Sequence, residues 1–273
     1  MNTRLIPRSV VAAGLLLLSV CAAAALTADK IDPALQAVIK SPARTATFAS
    51  RDSARHPAEE LTFFGLAPDM NVLELWPGGG YWTEILGPYL AAKGHYTVAL
   101  SAPGNEDKTT AEWRARVAAQ GSRLGKINTT ILGAGHFDVA PAGSADLVLT
   151  FRNLHNWMDG GFADEALAAC FRALKPGGVL GIEEHRGRND RPQDPKAKDG
   201  YVRQDYTIAL AKKAGFVLAG SSEINANPKD TKDWVDGVWT LPPTLAQGDK
   251  DRARYLAIGE ADNFVLKFVK PRK

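Results

Sequence analysis

The stretch VLELWPGGGYWTEIL, residues 72–86, decides the reading of this chain. An apolar strand carrying Glu74 runs into Pro77-Gly78-Gly79-Gly80, and helix-like sequence follows at once. Glycines in that place let a backbone approach a bound ligand. A glycine turn between a strand and a helix also offers unpaired N–H groups and a helix N-terminus, which suit a carboxylate or a phosphate. The dinucleotide fingerprint G-x-G-x-x-G is not met, because Thr83 stands where its third glycine belongs.

Strand and helix patterns alternate outward from this turn. PAEELTFFG (57–65) reads as a short helix, with proline at its first position and Gly65 just past its end. YTVAL, INTTIL, ADLVLTF, GGVLGIE, VLAGSSE and NFVLKFVK follow NVLELW as apolar strands. Between them, residues 81–92 (kinked at Pro88), TTAEWRARVAAQG, ADEALAACFRAL and VRQDYTIALAKKAGF read as helices. Repeated strand–helix units with continuously apolar strands imply a single-domain α/β fold, a mostly parallel seven-stranded sheet covered by helices on both faces. Two long loops interrupt the rhythm, residues 186–200 and 225–249. The second carries Trp234, Trp239 and Leu241, too apolar for a solvated tether, so it is expected to pack as a lid. Both loops are expected to roof one pocket.

The start of the chain differs from the rest. Arg4 and Arg8 precede an apolar run from Val10 to Leu26, with alanines at 22–25, in the manner of a secretory signal peptide. We read residues 1–25 as a cleaved signal, residues 26–56 as a polar lead-in and 57–273 as the folded domain. A retained anchor is the alternative, although the run is shorter than the roughly 20 residues a spanning helix needs. Cleavage would take 33 basic residues down to 31 against 30 acidic ones, a nearly neutral protein. With no basic block interleaved with aromatics, nucleic-acid binding has no support. Cleavage would also leave Cys170 alone, on the apolar face of a helix, as a core thiol.

ELWPGGG resembles the first motif of class I S-adenosylmethionine-dependent methyltransferases, and further resemblances follow in order. SADLVLTFRNLHNW is similar to their fourth strand and the segment after it, CFRALKPGGVLGIEEH to their helix, turn and fifth strand, and ALAKKAGF to the helix before the sixth strand. The likeness runs from about residue 57 to 270. It implies a Rossmann-like, doubly wound sheet with an antiparallel last strand, and S-adenosylmethionine as cofactor. By the same resemblance, Glu74, Gly78, Gly79 and Gly80 would bind the cofactor, with Ser101 at the tip of the second strand, Asp138 after the third, and Arg152 and Asn153 after the fourth. Trp76 replaces the motif's first glycine and Ser101 its usual acid, departures that keep a second reading open: a methyltransferase-like binding protein that has lost the cofactor.

Two polar clusters close the strand ends. FRNLHNW offers Arg152, Asn153, His155 and Asn156, and EEHR offers Glu183, Glu184, His185 and Arg186. A histidine beside a carboxylate suits the removal of a proton from a methyl acceptor, which makes His155, His185 and Glu184 the candidate catalytic groups. Asn153 and Asn156 could equally cap the next helix. Side chains alternate along a strand, so at most one of Glu183 and Glu184 should face the pocket. No short ligand spacing such as H-x-x-x-H is present, so no metal site is expected. The expected partner is a small molecule; the oligomeric state is not legible. Export is testable directly: N-terminal sequencing of protein from its native host should find a start between residues 22 and 29 outside the cytoplasm, whereas a cytosolic protein beginning at Met1 would refute it.

Overall fold

The structure, a computed structural model, describes residue 1, residues 30–102 and residues 108–272. Residues 2–25 of the proposed signal segment lie outside the described residues. The strands are β1 (Asn71–Leu75), β2 (His95–Ser101), β3 (Ile127–Leu132), β4 (Ala145–Phe151), β5 (Leu174–His185), β6 (Val217–Ser222) and β7 (Asn263–Val269). The helices are α1 (Pro33–Ile39), α2 (Ala46–Ala49), α3 (Asp52–Arg55), α4 (Pro57–Phe64), α5 (Thr83–Leu90), α6 (Lys108–Gln120), α7 (Leu154–Asp159), α8 (Ala163–Ala173), α9 (Gln204–Lys213) and α10 (Arg252–Ile258).

The strands form one sheet in the order β3-β2-β1-β4-β5-β7-β6, with β7 antiparallel to both of its neighbours and the other pairs parallel. Alternate residues of β4 feed opposite layers: Leu147, Leu149 and Phe151 pack with α4 and α5, and Val148 with α7 and α8. Both faces are therefore apolar, as a sheet buried between helices requires. The order reverses between β1 and β4, which opens a crevice beyond Leu75 and Phe151 where ligands of such sheets bind. No helix among the described residues is long and apolar enough to cross a membrane.

Three local features differ from the sequence-based expectation. The lead-in folds: α1, α2 and α3 lie against α5 and the crevice. A buried acid anchors them, since Glu84 accepts hydrogen bonds from the Thr45 amide at 2.7 Å and the Thr45 hydroxyl at 2.6 Å. Arg116 and Gln120 of α6 reach the same carboxylate. The helix after the glycine turn is shorter than expected, Thr83–Leu90, and contains Pro88. Finally, the Lys-Pro-Gly-Gly segment belongs to β5 itself, because Leu174 already pairs with Ala145.

Candidate active site

The crevice is a cavity of about 440 Å³ at the carboxyl edge of the sheet. Gly78 and Gly79 form part of its wall, together with Ser101, Arg152, Asn153, His155 and His185. Gly78 has φ +55°, and a Cβ added there would meet nothing within 4 Å, so its open face belongs to the cavity. Among the described residues the Gly78 and Gly79 amides have no hydrogen-bond acceptor. Gly80 has a different reason to be glycine. Its φ is +96°, and a Cβ there would press within 3.2 Å of Trp113 and Arg116 of α6. It serves helix packing and does not reach the cavity wall, which corrects its assignment as a ligand-approach residue.

Trp76 fills the space on the third-strand side of the turn. Its φ is +51°, its indole Nε1 donates to the Leu132 carbonyl at 3.0 Å, and the ring packs against Trp157 and Phe162. That plug explains a second correction. Asp138 is not in the wall of this cavity; it lines a separate surface hollow of about 770 Å³ with Thr129, Thr130 and Pro141. Ser101 does reach the cavity, its hydroxyl paired with that of Thr110 at 3.0 Å.

The two histidines come together. Their ring centroids are 5.5 Å apart, and Trp239 lies 6.0 Å from His155. Behind them Glu184 is fully buried. It accepts from His155 Nδ1 at 2.9 Å, from the His155 amide at 3.1 Å and from the His185 amide at 2.8 Å. Burial works against its charge, but His155, by charge and by hydrogen bond, holds the carboxyl below its ordinary range. An ionised carboxylate only accepts, so the proton shared with His155 sits on Nδ1. His185 Nδ1 lies 2.7 Å from Asn263 Oδ1. The Asn263 amide nitrogen donates to Glu183 at 3.1 Å, which fixes the amide's orientation and makes Oδ1 the acceptor for His185 Nδ1–H. Burial pushes the His185 imidazole down to about 3, so it is neutral. In each ring Nε2 has no hydrogen-bond partner among the described residues. Glu184 itself is absent from the cavity wall, so it positions His155 rather than touching a ligand.

Glu183 points the other way along β5, as strand alternation requires, yet it too is fully buried. It pairs with the Arg152 guanidinium and accepts from Asn225 at 3.0 Å. The same Asn225 nitrogen reaches Glu60 at 2.7 Å, and burial, with Glu183 close by, raises the Glu60 carboxyl well above its ordinary range. Arg152, at φ +59°, shares the cavity with Arg51 and Arg55, both of which pair with Glu260. Burial opposes the Glu260 charge, but the Arg51 hydrogen bond and the Arg55 charge bring its carboxyl down to about 2.

Asn153 is the N-cap residue of α7, but its side chain makes no capping bond. Its amide nitrogen donates instead to the Leu75 carbonyl at 2.9 Å and the Trp76 carbonyl at 3.1 Å, which ties the start of the glycine turn to the end of β4. Of the two long loops only the second roofs the cavity, through Val238, Trp239, Pro242, Pro243 and Thr244. Trp234 instead packs on Tyr255 and donates to Asp230 at 2.7 Å. Residues 186–200 back the lid from outside, where the Asp199 carbonyl accepts from the Val238 amide at 2.9 Å. Cys170 is buried and inert, its thiol pushed up by burial to about 12. Arg51, Arg55, Asn225, Glu260 and Asn263 carry no motif around them; the only trace of Asn263 in the sequence is a polar residue opening an otherwise apolar strand.

No protein-family model matches the chain, and no curated protein matches it in sequence. Solved structures do. A SAM-dependent methyltransferase from Aquifex aeolicus superposes with a TM-score of 0.55 at 16% identity, over 88% of this chain and 100% of that one. The cyclase SpnF gives 0.56 at 15% identity, over 85% of each chain. A SAM-dependent methyltransferase from Methanosarcina mazei gives 0.51 at 15% identity, over 78% of this chain and 98% of that one. These likenesses establish the fold, a single-domain Rossmann-like sheet of the methyltransferase type. A fold shared with a cyclase leaves the activity to be argued from the site.

Gly78 presents an open face to the cavity, and the Gly78 and Gly79 amides have no acceptor among the described residues, a geometry that suits a carboxylate. Toward the third strand the Trp76 indole stands in the way, and Asp138 lies outside. Glu74, a predicted cofactor-binding residue, is in the cavity wall, although it is almost fully buried and bonded to the Tyr96 hydroxyl. Burial lifts its carboxyl from an ordinary 4.5 to about 7. With the folded pKa raised, its contribution to stability is whole below about 4.5 and is lost as the pH rises through about 7. Urea unfolding between pH 4 and 8 should show the wild type losing on the order of a few kcal/mol relative to Glu74→Gln; parallel profiles would show that Glu74 ionises as it does in water.

Proposed function

We propose that the protein is an exported methyltransferase that uses S-adenosylmethionine and a small-molecule acceptor. One observation carries this reading: Gly78 and Gly79, whose amides have no acceptor among the described residues, line the same cavity as His155, whose Nε2 has no partner among them. Gly78, Gly79 and Ser101 would hold the cofactor, which when bound supplies an electrophilic methyl group on a sulfonium. His155, its Nδ1–H engaged by Glu184, presents the lone pair that draws a proton from the acceptor. Asn153 and Arg152 keep the two strand ends in register. Trp239 and the paired prolines keep water out, which strengthens the electrostatics within. A cavity of about 440 Å³ supports a small acceptor rather than a macromolecule. Export rests on the basic, apolar and small-residue regions of residues 1–25.

Trp76 favours a second reading, a binding protein that has given up the cofactor, because the indole occupies the route from the glycine turn to the third strand. Equilibrium binding of S-adenosylmethionine separates the two. The methyltransferase reading predicts saturable binding to wild type, retained in His155→Ala with methyl transfer lost. No binding to wild type, but binding after Trp76→Gly, would favour the second reading and overturn the first.

A further inference from the structure

We infer that His155 and His185 form a site for a borderline divalent transition-metal ion of the zinc type, open to a ligand in the cavity. A ligand atom from each of His155, Glu184 and His185 lies within 4.8 Å of the others. Both imidazoles stand in the cavity wall, and each has its Nδ1 engaged by a fixed acceptor, Glu184 for His155 and Asn263 for His185. That is how proteins prepare histidine ligands: an outer carboxylate or amide takes one ring N–H, sets the tautomer and turns the other nitrogen outward as a donor. Neither Nε2 has a hydrogen-bond partner among the described residues, which leaves both lone pairs available to an ion.

The buried carboxylate of Glu184 directly behind His155 favours a cation and forms no ion pair with an arginine or lysine among the described residues. The Arg152 charge, which bears on His185, is paired with Glu183. Two imidazoles and no available carboxylate suit zinc, nickel or copper better than magnesium. Tetrahedral zinc holds two nitrogens about 3.3 Å apart, given Zn–N bonds of about 2.0–2.1 Å. The ring centroids, 5.5 Å apart, are close to the roughly 5 Å separation of two imidazoles on one tetrahedral ion. Two positions of the ion then remain for water or for an oxygen of the cavity's ligand, whose proton the ion would release to solvent. The sequence hides such a site because its ligands come from the ends of two different strands.

The inference does not rest on the methyltransferase reading, since an ion site would serve a binding protein as well, but a bound ion replaces His155 as the group that handles the acceptor's proton. In the loaded protein the ion takes the lone pair of His155 and the task of lowering the acceptor's proton affinity. Zinc titrated calorimetrically into EDTA-treated, dialysed mature protein should bind one ion per chain, without competition from a large excess of magnesium. His155→Ala and His185→Asn should each weaken binding by at least about 100-fold, and Glu184→Gln by about 10- to 100-fold. Circular dichroism melts establish that each variant is folded. Cobalt(II) gives a readout that needs no variant, because a four-coordinate site shows intense visible bands. Absence of zinc binding, equal binding to a folded double variant, or the pale spectrum of six-coordinate cobalt would each overturn the site. S-adenosylmethionine binding to the metal-free protein, measured in parallel, tells failure of this inference from failure of the proposed function.

Discussion

Glu184, next to the last residue of β5, has no access to solvent and accepts three hydrogen bonds, from the amides of His155 and His185 and from the His155 ring. A buried carboxylate is stable only if it is paired and fully hydrogen-bonded, so this group constrains everything it touches. It satisfies an amide in the first turn of α7, a task the N-cap residue Asn153 does not perform. Asn153 is thereby free to clamp β1 to β4 through the Leu75 and Trp76 carbonyls. The glycine turn, the α7 N-terminus and the two imidazoles thus share one geometry. Disturbing the carboxylate would release all three.

Beneath the cavity, Glu183 organises the opposite side of β5. Asn225 and Asn263 each donate to it, and Arg152 closes the ion pair. His56 extends the chain by donating from Nδ1 to Asn225 Oδ1 at 3.0 Å. The result is a hydrogen-bonded path from the end of the lead-in, through the segment after β6 and the start of β7, to His185. Removing one partner from such a network costs far more than a surface contact, because it strands buried polar groups. The folded lead-in belongs to the same construction, since Arg51 and Arg55 reach the cavity from α3 and its edge while paired with Glu260.

The sheet was legible because its information is local. Apolar strand patterns of five to eight residues, glycine-closed helices and a turn rich in glycine each state their conformation within a few positions. Gly78 and the two histidines were legible for the same reason: they follow directly on strand ends whose common edge the topology dictates. What was not legible depends on side chains meeting over long separations. Nothing near Trp76 says that its indole will bond to Leu132, 56 positions away, and so keep Asp138 out of the cavity. The pairing of Asn263 with Glu183 spans 80 positions. The lead-in helices α2 and α3 have four residues each, too short for a hydrophobic period, and rest on tertiary contacts such as Thr45 with Glu84.

The central claim is that buried acceptors on β5 and β7 set both imidazoles with Nδ1–H inward and Nε2 bare in the cavity. Long-range nitrogen–proton NMR of imidazole-labelled, metal-free protein at neutral pH reads this directly. The account predicts a proton on Nδ1 of both His155 and His185, with the Nε2 of His185 unprotonated. Nε2-protonated tautomers for either ring would contradict it.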